Sequence, residues 1–178
     1  MAPKVRVVIA NYDPEWPRLY EEEKHRLRSA LGPATGSIEH MGSTSVPGLG
    51  AKPIIDIMVG VRDMAEADHF QRRLEPAGYL DVTPEPGETE WFYCLGRGNH
   101  ELYYHVHLVV EDSRHWRRQL AFRDHLRWNP ALAAEYEELK RRLADRYGED
   151  REGYTDAKAG FITRVLAKLG LALDEPEQ

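Results

Sequence analysis

One run constrains this chain more than any other. Ile54-Ile55-Asp56-Ile57-Met58-Val59-Gly60-Val61 is apolar throughout except for Asp56. A short, unbroken, β-branched run reads as a central strand buried on both faces. A carboxylate inside such a strand is expensive unless it is paired or bound to a metal. The segment before it, Met41 to Pro53, is crowded with glycine and proline and reads as a loop. In that loop Gly42 would let a phosphate approach the backbone. Ser43 and Thr44 would donate N–H and O–H bonds to phosphate oxygens. A phosphate loop leading into a strand with one carboxylate suits metal-plus-phosphate chemistry.

The rest of the chain arranges itself around that strand. Val5–Ala10 is a β-branched run that reads as a strand. Asp13 caps a helix that starts at Pro14 or Pro17 and ends at Gly32, with Trp16, Leu19, Tyr20, Leu27 and Leu31 on one face. Gly36–His40 begins a strand. Asp63 caps a helix with an apolar stripe of Met64, Ala67, Phe70 and Leu74. Strands are expected at Tyr79–Thr83, Thr89–Leu95 and Glu101–Val110, separated by turn residues such as Pro84, Pro86 and Gly87. Three helices follow: one from Ser113 to about Arg127, one opened by Asn129-Pro130 and closed by Gly148, and one capped by Thr155 and closed by Gly170. The tail Leu171–Gln178 is expected to fray. This order predicts one α+β domain: a mixed sheet covered in part by the C-terminal helices.

Charge and cysteine content exclude several classes. The formal charge is −6, which argues against binding bulk nucleic acid. Ser113–Arg151 is locally basic, with ten Lys/Arg against seven Asp/Glu, so a local phosphate-facing surface is allowed. A single cysteine, Cys94, forbids an intramolecular disulfide. No apolar run reaches the ~20 residues of a membrane span, and Met1–Ala10 lacks an apolar signal core. A cytoplasmic protein with no membrane association is expected, its oligomeric state open. Gly48-Leu49-Gly50-Ala51-Lys52-Pro53 is neither a dinucleotide fingerprint nor a Walker A loop. Pro53 stands where the third glycine or the Ser/Thr belongs. Ser43 and Ser45 do not form a nucleophile elbow.

Two further groups carry chemistry. In a strand, His105 and His107 face the same side, which suits metal ligation or acid–base work. Arg117, Arg118, Arg123, Asp124, His125 and Arg127 lie together on a helix, and arginine forks suit phosphates as well as carboxylates. Lys158, one turn after Tyr154, would reach a phosphate or a carboxylate.

Tyr12–Pro17, Ile38–Leu49, Lys52–Ile57, His105–His107, Phe122–Arg127 and Tyr154 with Lys158 together resemble the GrpB family. The resemblance runs from about Val5 to Leu169. It implies a nucleotidyltransferase-like mixed sheet related to DNA polymerase β, with flanking helices and a C-terminal three-helix segment. It also implies a single domain over 1–178, with its core at about 5–169. In that superfamily a Gly-Ser turn holds a triphosphate. Carboxylates at alternate strand positions, with a third on a later strand, hold two divalent ions. Here Gly42-Ser43 matches. Asp56 then falls on the second carboxylate position with Ile54 on the first, or on the first with Met58 on the second. Either way one carboxylate is missing, and the later strand carries the histidines.

Asp56, His105 and His107 are therefore expected to converge on one catalytic, metal-binding site. One aspartate with two histidines favours Zn, Mn, Ni or Fe over Mg. Gly42, Ser43, Thr44, Lys52, Arg123 and Lys158 are expected to bind phosphate. The expected function is metal-dependent nucleotidyl or phosphoryl transfer on a nucleotide-like small molecule. One alternative is a catalytically inactive module for a nucleotide or a coenzyme-A-like ligand. The resemblance implies the latter option, since some relatives of the family carry a fused dephospho-coenzyme A kinase. Another alternative is a metal-dependent hydrolase that uses the histidine pair.

Overall fold

The Ile54–Val61 run is an interior strand of a five-stranded mixed sheet. The computed structural model describes residues 6–33, 35–82, 90–99 and 102–171. The elements are α1 (Trp16–Leu31), β1 (Ile38–Met41), β2 (Ile54–Val61), α2 (Met64–Leu74), β3 (Leu80–Asp81), β4 (Trp91–Gly98), β5 (Tyr103–Val110), α3 (Arg114–Trp128), α4 (Pro130–Tyr147) and α5 (Arg151–Lys168). The strand order is β1-β2-β5-β4-β3. The β2–β5 pair is parallel and the other pairs are antiparallel. Pro84, Pro86, Gly87, Glu101 and the tail beyond Leu171 lie outside the described residues. No described helix is long and apolar enough to cross a membrane.

Strand alternation sorts the two faces. Ile55, Ile57, Val59 and Val61 join Tyr104, Val106 and Leu108 in a core with Leu27 of α1 and Phe70 and Leu74 of α2. Met58 and Val109 take the other face and meet Trp116 of α3. Behind α3, Leu126, Tyr136, Phe161 and Val165 bind the three C-terminal helices together. Val46 and Leu49 of the glycine-rich loop sit in that same cluster. The loop is thus held by apolar side chains inserted into the helical layer.

Helix α1 starts between its two candidate prolines. Asp13 does not cap it: Glu15 takes the cap position without a side-chain bond, Asp13 Oδ1 accepts the Glu15 N–H at 2.9 Å, and Pro17 falls in the first turn, where a missing N–H costs nothing. Met64 opens α2 but stays exposed, because its position precedes the turn that touches the sheet.

Two further expectations fail. Val5–Ala10 does not add a strand: among the described residues there, only Ala10 makes a bridge, to Ala51. Val7 and Ile9 instead bury against Leu143, Ala144 and Tyr154, while Val8 faces solvent. Alternation demanded an extended backbone with one apolar side, and α4 and α5 satisfy it without a ladder. Nor does Thr155 cap α5. The helix begins at Arg151, with Asp150 Oδ1 accepting the Gly153 N–H at 2.9 Å, and Thr155 lies exposed inside it. Asp150→Ala is expected to lower stability by about 1 kcal/mol. Thr155→Ala should change it by less than ~0.5 kcal/mol. Urea unfolding of both variants checks the assignment, and equal losses would contradict it.

Candidate metal and phosphate site

The β2–β5 register builds the centre of the site. Asp56 stands opposite His105 across the parallel pair, and Met58 stands opposite His107. Residues paired in register share a face, so Asp56, His105 and His107 project from the same side. One Asp56 oxygen, Oδ1, lies 3.4 Å from His105 Nδ1 and 3.4 Å from His107 Nε2. The three side chains are 26%, 29% and 14% exposed, so the cluster is half-buried and reachable. Tyr103 meets His105 edge-on at 5.2 Å, and Trp91 packs against His107 at 5.5 Å. These rings fix the two imidazoles. Burial opposes ionisation of Asp56, but hydrogen bonds from His105 and His107 outweigh it. The carboxyl is held well below the usual carboxylate range.

The antiparallel β4–β5 register brings a residue that the sequence reading did not place here. Cys94 stands opposite His107, on the same face. Among the described residues, Cys94, His105 and His107 each offer a donor atom within 4.8 Å of the others. Burial first, then the Asp56 charge, push the Cys94 thiol up to about 12.

The cluster fits a transition metal and not a magnesium pair. Donors held about 2.0–2.1 Å from a tetrahedral ion lie roughly 3.3–3.4 Å apart. Asp56 Oδ1 has that spacing to each imidazole, while the donors that are all close to one another among the described residues are those of Cys94, His105 and His107. A carboxylate with two imidazoles is a zinc-type donor set. At the same-face positions two residues either side of Asp56 stand Ile54 and Met58, so β2 offers no second carboxylate.

The phosphate half lies directly beside it. Met41 pairs with Asp56, and the chain then turns at Gly42 with φ 71° and ψ −175°. A Cβ on Gly42 would stand 2.6 Å from Asp56 Oδ2, so the turn and the carboxylate are packed together. A 3₁₀ turn over Ser43–Ser45 follows. Ser43 is partly exposed, and its hydroxyl lies in favourable electrostatic reach of the Tyr136 hydroxyl. Thr44 is buried, with its hydroxyl 3.0 Å from His40 Nε2 and donating to the Ile54 carbonyl at 3.0 Å. Its side chain braces the turn, so only its backbone is left for a ligand. Burial pushes His40 down to about 4, so it is neutral at pH 7.

Two lysines lie against the Tyr154 ring within electrostatic reach of Asp56. The Lys52 and Lys158 ammonium groups lie 5.4 and 4.4 Å from the centre of the Tyr154 ring. Burial lowers the pKa of both, with Lys158 brought to about 8, and Asp56 partly offsets this. Lys140 is a third, 2% exposed and donating to the Gly50 carbonyl. Burial brings it to about 7, with the charges of Lys158, Arg141 and Lys52 pushing the same way against Glu137. Glu137 accepts the Gly50 N–H at 2.7 Å, so α4 grips both backbone groups of that glycine. Lys140 was legible as a lysine four residues after Tyr136, inside the apolar stripe of α4.

Arg123 does not join the phosphate residues. Its guanidinium donates to Glu39 at 2.8 Å, to the His40 carbonyl at 2.9 Å and to Asp124 at 2.7 Å. Arg127 donates to the Ser45 carbonyl at 2.9 Å. The two arginines clamp the ends of the Gly42–Ser45 turn onto α3. The sequence shows that a cation is present, but these nearby carboxylate and carbonyl oxygens consume it. His100, just upstream of the pair, lies outside the described residues.

Comparison with known proteins follows the same boundaries. The family described as GrpB protein matches residues 6–168. The glutamate-rich protein GrpB of Alkalihalophilus pseudofirmus is 33% identical over 93% of this chain and 97% of its own. The crystal structure of the conserved protein GrpB from Enterococcus faecalis superposes with a TM-score of 0.79. It is 36% identical and covers 92% of this chain and 97% of that one. A structure of the Cid1 poly(U) polymerase, bound to magnesium and 3′-dATP, superposes with a TM-score of 0.53 at 14% identity. It covers 93% of this chain and 52% of that one. The last likeness is one of fold, and it bears out the nucleotidyltransferase-like mixed sheet.

Proposed function

The chain belongs to the GrpB family, and from that premise we propose that it is a metal-dependent nucleotidyl- or phosphoryl-transfer enzyme acting on a nucleotide-like small molecule. One observation carries the reading: the Gly42–Ser43 turn is packed against Asp56, so a phosphate on the turn would touch a cation held by Asp56, His105 and His107. Such a cation, of the Zn, Mn, Ni or Fe type, would polarise the phosphoryl group and stabilise the leaving oxygen. The remaining work belongs to side chains. Ser43 donates to a phosphate oxygen, and Lys52 and Lys158 neutralise charge that develops away from the strand. His105 and His107 serve either as ligands of that cation or, for one left off it, as the base that takes the acceptor's proton while Asp56 holds its ring in place. A reducing, cytoplasmic setting suits the single thiol.

A second reading keeps the fold and the ligand but drops the reaction: a nucleotide- or coenzyme-A-like binding module. Ile54 and Met58, standing where a second carboxylate would, favour it.

Calorimetric titration with nucleoside triphosphates and coenzyme A, with and without Mn²⁺ or Zn²⁺, tests both readings. Lys158→Met is expected to weaken binding about tenfold. The pH dependence has a fixed sign. A lysine whose folded pKa lies below its unfolded value gives up its proton early, and an anion restores that proton on binding. Affinity should therefore fall about tenfold between pH 7.5 and 9.5, a window in which phosphates are already ionised. The same lysines make the ligand-free fold gain stability as pH rises from about 7 toward the unfolded value. Affinity that is flat across this window would remove the lysines from the site. Binding without release of pyrophosphate or phosphate would select the second reading.

A further inference from the structure

We infer that Cys94 is a metal ligand, and that Asp56, Cys94, His105 and His107 form one thiolate-containing transition-metal centre across β2, β5 and β4. The inference rests on reading Asp56, His105 and His107 as a metal site, and it adds the donor that decides which metal binds. Three adjacent strands supply the four residues. The parallel register sets Asp56 against His105, and the antiparallel register sets Cys94 against His107. Donors fixed by strand register need little rearrangement to close on an ion. The donor atoms of Cys94, His105 and His107 already lie within 4.8 Å of one another; Asp56 Oδ1, 3.4 Å from one nitrogen of each imidazole, stands outside that set and would turn onto the ion as it binds.

Charge balance points the same way. When the metal–sulfur bond forms, the thiol proton leaves to solvent. Two anionic donors then offset a divalent ion, and the two imidazoles stay neutral. That leaves a half-buried centre with no net charge, which is the cheapest state for it. Sulfur and imidazole select zinc-class ions, whereas magnesium requires oxygen donors. With Cys94 bound, protein side chains fill a tetrahedral shell. With that shell filled, a phosphate on the neighbouring turn would have to add to it or displace one of the four side chains.

Cobalt(II) is the probe, added to the full chain under reducing conditions without added thiol. The wild type is expected to show a near-ultraviolet sulfur-to-cobalt charge-transfer band. Cys94→Ser should lose that band while still binding cobalt, about 10–100-fold more weakly. Zinc-edge X-ray absorption of the wild type needs no variant. It should show one sulfur at about 2.3 Å, and it decides the matter alone if Cys94→Ser fails to fold. Cobalt or zinc bound in an Asp56-dependent way without a sulfur signal would overturn the Cys94 assignment and leave the Asp56–histidine site standing. No binding of either metal would overturn both.

Discussion

Asp56→Asn is expected to weaken transition-metal binding about a hundredfold while leaving the fold intact. Asparagine nearly matches the shape of aspartate, so it fills the space beneath Gly42 and can still present an oxygen to His105 and His107. What it removes is the charge. Removing a carboxylate that only orients a metal-bound histidine costs about 10–100-fold in metal affinity, and loss of a direct anionic ligand belongs at the upper end. A hundredfold corresponds to about 2.7 kcal/mol. The effect on nucleotide binding depends on conditions. With metal present, the bridge between the strand and the phosphate is lost and affinity falls. With a chelator present, Asp56 is only a negative charge beside an incoming phosphate, so the variant should bind the nucleotide as well as the wild type or better. Competition with a chromophoric chelator measures the first effect, calorimetry in chelator measures the second, and thermal melting confirms the fold. Unchanged metal affinity in Asp56→Asn would show that Asp56 is not a ligand of the cation.

The parts of this site that the sequence disclosed are those set by local periodicity. His105 and His107 share a face because strands repeat every two residues, wherever the strand lies. Asp56 stood out because its neighbours on both sides are apolar. The Gly42-Ser43 turn stood out because glycine and proline exclude regular structure over Met41–Pro53. The missing parts depend on long-range register. Placing Cys94 opposite His107 requires the pairing of β4 with β5, which shifts at a bulge between Trp91 and Tyr93. Local pattern does not encode such a shift. Arg123 misled for a related reason. Its charge is visible in the sequence, but the Glu39 carboxylate and His40 carbonyl that consume it lie over eighty residues away. The same holds for Val7 and Ile9, whose alternation fixed an extended backbone without saying whether a strand or two helices would cover it. Capping errs in the opposite direction. Thr155 looks like the cap because Gly153 before it reads as a helix breaker, but Gly153 lies in the first turn of α5, packed against Tyr147 and Asp150, with its N–H bonded to Asp150.

Gly42→Ala is expected to lower stability by about 2–3 kcal/mol and to uncouple metal binding from phosphate binding. Two costs combine. The first is conformational: φ 71° with ψ −175° is a region that essentially only glycine enters, and a side chain there costs about 1–3 kcal/mol. The second is steric: the new Cβ would stand 2.6 Å from Asp56 Oδ2 and 3.1 Å from Asp56 Cβ. Neither partner can withdraw freely. Asp56 is held in β2 between β1 and β5, and the turn is pinned through Arg123 at His40 and Arg127 at Ser45. Relief must come from swinging the carboxylate away from His105 and His107 or from lifting the turn off the strand. Either movement separates the phosphate half of the site from the metal half. Gly48→Ala is the control. Gly48 also has a positive φ, 80°, but a Cβ there meets nothing within 4 Å. It should cost about 1 kcal/mol and leave binding unchanged. Urea unfolding reads the two stabilities, and nucleotide titration with and without metal reads the coupling. A Gly42→Ala protein that still binds nucleotide more tightly with metal than without would show that the turn and Asp56 act independently, and that their close packing serves the fold alone.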